Sequence, residues 1–164
     1  MKIYRLDTNY SNYLNHFEPK ISINKNGKEN RPFLGVVLTV HNINFFAPLT
    51  SPKAKHITMK NTQDFLKIDD GFLGGINLNN MIPIPRIALQ EINISQIQDI
   101  KYRQMLYKQL NWVKNNQERI NNRAKNLYYL VIQKKATNDL IERCCNFRLL
   151  EEKCQEFIES RKIS

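Results

Sequence analysis

Seven consecutive residues, Thr50-Ser51-Pro52-Lys53-Ala54-Lys55-His56, gather two hydroxyls, two ammonium groups and an imidazole at the end of the apolar stretch Ala47-Pro48-Leu49. Hydroxyls donate to phosphate oxygens, and a lysine stabilises the negative charge that grows on a phosphorane when a ribose 2′-OH attacks it. Such chemistry requires no metal. An imidazole, with an ordinary pKa of about 6.5, suits proton transfer. A plainer reading of the same residues stays open: Ser51 caps a turn or helix that starts at Pro52, the lysines are solvated, and His56 lies on the surface.

The second segment with chemical content is Lys101-Tyr102-Arg103-Gln104-Met105-Leu106-Tyr107-Lys108-Gln109-Leu110. Tyr102, Leu106 and Leu110 recur at helical spacing, so a helix that buries them leaves Arg103, Tyr107 and Lys108 off the buried stripe. Cations interleaved with aromatics suit RNA, whose phosphates need positive charge and whose unstacked bases need flat partners. The alternative is an ordinary solvated basic face, and the same choice applies to Arg119, Arg123 and Lys125.

Composition favours an anionic partner. The 164 residues carry 25 Lys and Arg against 15 Asp and Glu, a formal net charge of +10. Residues 101–164 hold 14 basic and 7 acidic residues against 11 and 8 in 1–100, so the excess sits mainly on the C-terminal part. With 41% hydrophobic and 24% charged residues the chain falls in the globular range, and its length predicts one domain spanning 1–164. No apolar run reaches the roughly 20 residues a membrane span needs, and the start MKIYRLDTNY is polar where a signal peptide is apolar, which predicts a cytoplasmic protein without a membrane partner. Cys144, Cys145 and Cys154 have neither CxxC spacing nor a nearby histidine and read as reduced thiols. Phosphate-loop, zinc-protease and nucleophile-elbow motifs are missing, as is the acidic cluster of a two-metal nuclease. The tight pair Asp69-Asp70 precedes Gly71 and reads as a turn, so neither metal nor cofactor is expected.

The elements that must position these groups divide the chain. A strand at Ile3–Leu6, a short helix capped by Asp7 or Thr8, a polar loop over 18–30, and a hairpin of 33–40 with 44–49 around His41-Asn42 come first. Short extended segments follow at 65–68, 75–78 and 84–89. The period then becomes helical in Tyr102, Leu106, Leu110 and Val113, in Ile120, Ala124, Leu127 and Val131, and in Phe147, Leu150, Cys154 and Phe157, the last run capped by Asn146. The expected class is α+β: a largely antiparallel sheet with helices packed on it.

Three stretches together, Phe33-Leu34-Gly35-Val36-Val37-Leu38, the Ala47–Lys53 turn with His56 behind it, and Tyr102–Leu110, resemble the ToxN/AbiQ family of endoribonuclease toxins from type III toxin-antitoxin systems. Gly75-Ile76-Asn77-Leu78, Met81-Ile82-Pro83 and Asn146–Lys153 extend the likeness over nearly the whole chain. The resemblance implies metal-free RNA cleavage that leaves a 2′,3′-cyclic phosphate and a 5′-hydroxyl. It also implies a tandem-repeat antitoxin RNA, cut by the toxin into pseudoknotted units that inhibit it in closed protein-RNA assemblies, and toxin release during phage infection. Cellular mRNA would be the substrate, and DNA is not an expected partner. Carried over by position, Thr50, Ser51 and Lys53 match the family's active-site turn, and Tyr107, Lys108 and Gln109 match a helix lining its RNA groove. Lys55, His56, Arg103 and Tyr10 are further expected RNA contacts. Where the family has a lysine shortly before the strand, this chain has Arg31, an electrostatic stabiliser rather than a base because guanidinium is too basic to accept a proton. A non-catalytic RNA-binding module also accounts for the charge and the aromatics; a DNA-binding repressor lacks support from any helix-turn-helix pattern.

Overall fold

The computed structural model describes residues 1–22 and 31–162. Its centre is a hairpin of β2 (Phe33–Val40) and β3 (Ile43–Thr50), turned at His41 and Asn42, whose φ values of 51° and 62° are the paired left-handed conformations that a tight hairpin turn demands. β1 (Lys2–Leu6) pairs with β2, and β7 (Leu89–Glu91) with β1. On the other side of β3, Phe45 and Phe46 pair with β6 (Ile82–Pro83), while Leu49 and Thr50 pair with β5 (Gly75–Asn77), which in turn pairs with β4 (Phe65–Lys67). All pairings are antiparallel in this seven-stranded sheet.

β3 is buried from Phe45 to Thr50 without alternation, because both faces of the sheet are covered. Successive side chains point to opposite faces. Phe45 meets Tyr128 and Phe147 edge-on at 5.7 and 6.1 Å, and Phe46 meets Tyr4 at 5.4 Å. Tyr128 belongs to α4 (Gln117–Ile132) and Phe147 opens α6 (Phe147–Lys162). The expected caps form: Tyr10 N–H donates to Asp7 at the start of α1 (Thr8–Phe17), and Leu149 N–H donates to Asn146 Oδ1 at 3.1 Å. α3 (Ile100–Asn115) is capped by Asp99, which the sequence pattern left unassigned. All three cysteines are buried free thiols.

Several expectations change. Tyr10 lies in the core rather than on an RNA surface: it is fully buried, its hydroxyl donates to Pro83 O at 2.7 Å, and its ring meets Phe157 at 4.8 Å. Leu14, one turn further along the same helix face, is buried too, and Tyr10 is withdrawn as an RNA contact. The extended segment over 84–89 is broken by Pro85 and a 3₁₀ turn at Arg86–Ala88 before β7. A further helix, α5 (Asn138–Arg143), stands where no periodicity was read, being too short to show one. Of the loop expected over 18–30, residues 23–30 lie outside the described residues; Glu18 is buried and accepts from Asn146 N–H, and Ile21 joins the core.

The one buried carboxylate-phenol pair on the helical side ties α4 to α6: Tyr128 Oη donates to Glu151 Oε1. Burial, then the neighbouring carboxylate, pushes the phenol's pKa up, so it stays a donor. Tyr128→Phe strands an acceptor in the core and is expected to cost about 1–3 kcal/mol, read as a lower midpoint in urea unfolding with an unchanged slope.

Candidate active site

β3 delivers the hydroxyl-lysine turn to the rim of the sheet. Thr50, its last residue, is buried, and its Oγ1 accepts a 2.6 Å hydrogen bond from Asn77 Nδ2 of β5. Since the oxygen is engaged as an acceptor, the hydroxyl proton is left to be donated. Ser51, Pro52, Lys53 and Lys55 are exposed. Ser51 is not a helix cap as one sequence reading had it: the short helix α2 runs from Ala54 to Thr58 and its N-cap is Lys53. The capping group is the imidazole of His56, whose Nδ1 accepts from Lys53 N–H at 3.1 Å while His56 N–H donates to Lys53 O at 2.9 Å. Released from capping, the Ser51 hydroxyl faces solvent.

His56 is therefore buried rather than a surface contact to RNA, with its ring against Phe65 at 5.3 Å. Burial, and then the charges of Lys55 and Lys53, hold its pKa below the ordinary value. A neutral ring that accepts at Nδ1 carries its proton on Nε2, so His56 shapes the turn and is unsuited to take a proton through Nδ1.

The turn is held from behind by residues 68–74. Asp69, Asp70 and Gly71 take φ values of 49°, 52° and 94°, and Gly74 takes 81°. A Cβ on Gly71 would stand 2.2 Å from His56 O, and one on Gly74 1.9 Å from Thr50 O, so both ends of the hydroxyl-lysine turn rest directly on glycine backbone. The same loop is gripped by α3, because Gln109 Nε2 donates to Leu73 O at 2.9 Å. Gln109 is buried, with its Oε1 lacking a partner among the described residues, and it acts as a tether rather than as an exposed RNA contact. It belongs to the buried stripe Leu106, Gln109 and Val113; Leu110 lies half-buried beside that stripe.

Tyr107 and Lys108 remain exposed on α3, Tyr107 over a hollow lined by Glu91–Ser95. Arg103 is half-buried and donates to Ile97 O at 2.9 Å, bracing the approach to α3. Arg31 is exposed just before β2, where Leu49 N–H donates to Pro32 O at 2.9 Å; continuing that pairing sets Arg31 alongside Thr50. Thr50, Ser51, Lys53 and Lys55 thus follow one another at the end of β3, Arg31 lies one residue beyond the Pro32–Leu49 contact, and α3 is tied to the supporting loop through Gln109 and Leu73. Asn77, Gly71 and Gly74 are supporting residues that spacing did not reveal; the Asp69-Asp70-Gly71 pattern showed a turn but not what packs on it. Among the described residues no three His, Cys, Asp or Glu side chains come together as a metal-binding group.

This arrangement can hold a phosphate by hydroxyl donors and cations, and its likeness to known proteins is extensive. The family model of the toxin ToxN, from type III toxin-antitoxin systems, matches residues 2–155. The chain belongs to the ToxN toxin family. An endoribonuclease ToxN of Pectobacterium atrosepticum is 34% identical across 96% of this chain and 94% of its own length. A solved structure concerning selective toxin inhibition by a non-coding RNA pseudoknot superposes with a TM-score of 0.81 at 32% identity, over 96% of this chain and 98% of that one. That of AbiQ, a lactococcal anti-phage endoribonuclease, gives 0.83 at 25% identity, over 96% of this chain and 98% of its own. The ToxN sheet-and-helix fold expected from the sequence is the fold observed.

For this ToxN family member the imidazole cap makes a pH prediction. The His56 pKa in the fold lies below the unfolded value of 6.5, so on acidification the unfolded chain takes up the proton first. Its contribution to stability is complete above about pH 7 and declines as pH falls below 6.5 toward the folded value. Thermal midpoints are expected to drop more steeply between about pH 7 and 5 in the wild type than in His56→Asn, which keeps an acceptor at the Nδ1 position without a titrating ring; parallel curves would contradict the assignment.

Proposed function

We propose that the Thr50-Ser51-Lys53 turn is the cleavage site of this toxin. The chain is an endoribonuclease toxin of a type III toxin-antitoxin system. One observation carries the assignment of the site: an exposed serine and two exposed lysines stand on a turn whose shape is held by the His56 cap and by close packing against glycine backbone. Groups relieved of structural duty are available to a ligand.

In this reading a scissile phosphate accepts hydrogen bonds from Ser51 and Thr50, and Arg31 and Lys53 neutralise the charge that develops as the ribose 2′-OH attacks phosphorus. The 2′-OH gives up its proton to solvent as the P–O5′ bond breaks, giving a 2′,3′-cyclic phosphate and a 5′-hydroxyl, with Lys53 placed to protonate the leaving oxygen. Positioning and charge stabilisation supply most of the rate. Tyr107 and Lys108 extend the RNA track along α3, and Lys55 adds charge beside the turn.

The substrates are cellular mRNA and a small repeat-derived RNA whose processed units inhibit the toxin in a closed assembly, as inhibition by an RNA pseudoknot in one relative and anti-phage action in another support. The chain acts as one toxin domain over 1–164, in the cytoplasm. Among the described residues no helix is long and apolar enough to cross a membrane.

Purified protein incubated with a transcript of tandem repeats in EDTA is expected to produce discrete fragments ending in cyclic phosphate. Ser51→Ala and Lys53→Ala should each lower the rate by about a hundredfold or more while leaving the melting curve unchanged. Wild-type rates in both variants would remove the turn from the chemistry, and tight binding without any cut would favour an RNA-binding module.

A further inference from the structure

Phe72 is 61% exposed although it is one of the most apolar side chains in the molecule. Its surroundings explain why it stays there. The loop closes on itself through Ile68 N–H to Gly74 O at 3.0 Å and Phe72 N–H to Asp69 O at 2.9 Å. Two residues with side chains, Asp69 and Asp70, are held in left-handed conformations that L-residues disfavour. Gly71, one residue before Phe72, rests on His56 O, and Gly74, two residues after it, on Thr50 O. Leu73 O is fixed to Gln109 of α3. An exposed aromatic is thus fixed in place at its backbone by contacts to both ends of the Thr50–His56 turn and to the helix that carries Tyr107 and Lys108. Ile57, 47% exposed, borders the same contact, its backbone nitrogen 3.0 Å from where a Gly71 Cβ would be.

The charges nearby select what such a ring can receive. The exposed carboxylates of Asp69 and Asp70 precede it, and they repel a phosphate; Lys53 and Lys55, on the turn that its loop supports, attract one. The neutral π-face of Phe72 suits an uncharged flat group attached to a phosphate held on the lysines. We propose that Phe72 is a stacking platform for an unpaired nucleobase next to the scissile phosphate, and so a determinant of where the toxin cuts RNA. The proposal rests on the reading of Thr50-Ser51-Lys53 as the cleavage site. It assigns the backbone of the RNA to the lysine turn and one of its bases to the 68–74 loop.

The test uses a short single-stranded RNA spanning one cut site, and a set in which each nucleotide around the cut is replaced in turn by an abasic one. Affinity is measured in the Ser51→Ala background and kcat/KM in the otherwise wild-type chain. Phe72→Ala should weaken both by roughly five- to a hundredfold, Phe72→Trp and Phe72→Tyr should restore them, and Phe72→Leu should not, since leucine keeps apolar bulk without a π-face. At one abasic position the wild type should lose a similar factor and Phe72→Ala lose nothing further. Equal losses at every abasic position, rescue by leucine, or no effect of Phe72→Ala on binding and cutting would each overturn the platform; binding of a protein surface by Ile57 and Phe72 would then be the use of the patch. If Ser51→Ala cuts at the wild-type rate while cleavage stays Phe72-dependent, the cleavage-site reading fails and the base platform stands.

Discussion

The contact between two glycines and two backbone carbonyls organises this molecule's chemistry. Gly74 lies so close to Thr50 O, and Gly71 to His56 O, that no side chain fits at either position. Those approaches let the loop over 68–74 support a turn that would otherwise be free at the end of β3. Sheet pairing alone stops at Thr50, where Gly75 of β5 is its partner. Beyond that residue the turn keeps its shape through the glycine contacts and the His56 cap, and α3 joins the same rim because Gln109 holds Leu73. A loss in any of these contacts moves functional groups without touching one of them, which is how distant positioning residues affect rate.

This division of labour also explains why the turn's side chains can meet RNA. Backbone groups, an imidazole and an amide carry the structural hydrogen bonds, so among the described residues the fold does not consume the Ser51 hydroxyl or the Lys53 and Lys55 ammonium groups. The net charge of +10 draws the polyanion in, and the turn provides the local geometry. Thr50 shows both roles in one group: its oxygen accepts from Asn77, and its proton remains for a ligand. Burial of His56 beside two lysines keeps it neutral, the state in which it can cap Lys53.

Much of this was legible in the residues. The short apolar strands bounded by turn residues, the His41-Asn42 turn, the caps at Asp7 and Asn146 and the three helical stripes are local patterns, and the sheet-and-helix class follows from them. Residue chemistry singled out the Thr50–His56 turn, and the resemblance points to the same residues. What local pattern could not carry is which side chain faces inward when types are ambiguous. Tyr10 and His56 are amphipathic groups that serve equally in a core or on a surface, and only tertiary neighbours (Phe157 and Pro83 for one, Phe65 and Lys53 N–H for the other) decide. The family resemblance put Gln109 with Lys108 on the RNA side; its amide instead satisfies a carbonyl from a loop 36 residues away. Ser-Pro suggested a helix start at Pro52, but the imidazole three residues after Lys53 displaced the cap.

In the proposed reaction the RNA supplies its own nucleophile, positioned at the Thr50-Ser51-Lys53 turn. A single 2′-deoxy substitution at the nucleotide preceding the cut, in an otherwise unchanged RNA, tests it most directly, with cleavage and affinity measured on the same molecule. The account predicts that cutting at that bond disappears while affinity changes little; undiminished cleavage at the deoxy position would contradict it.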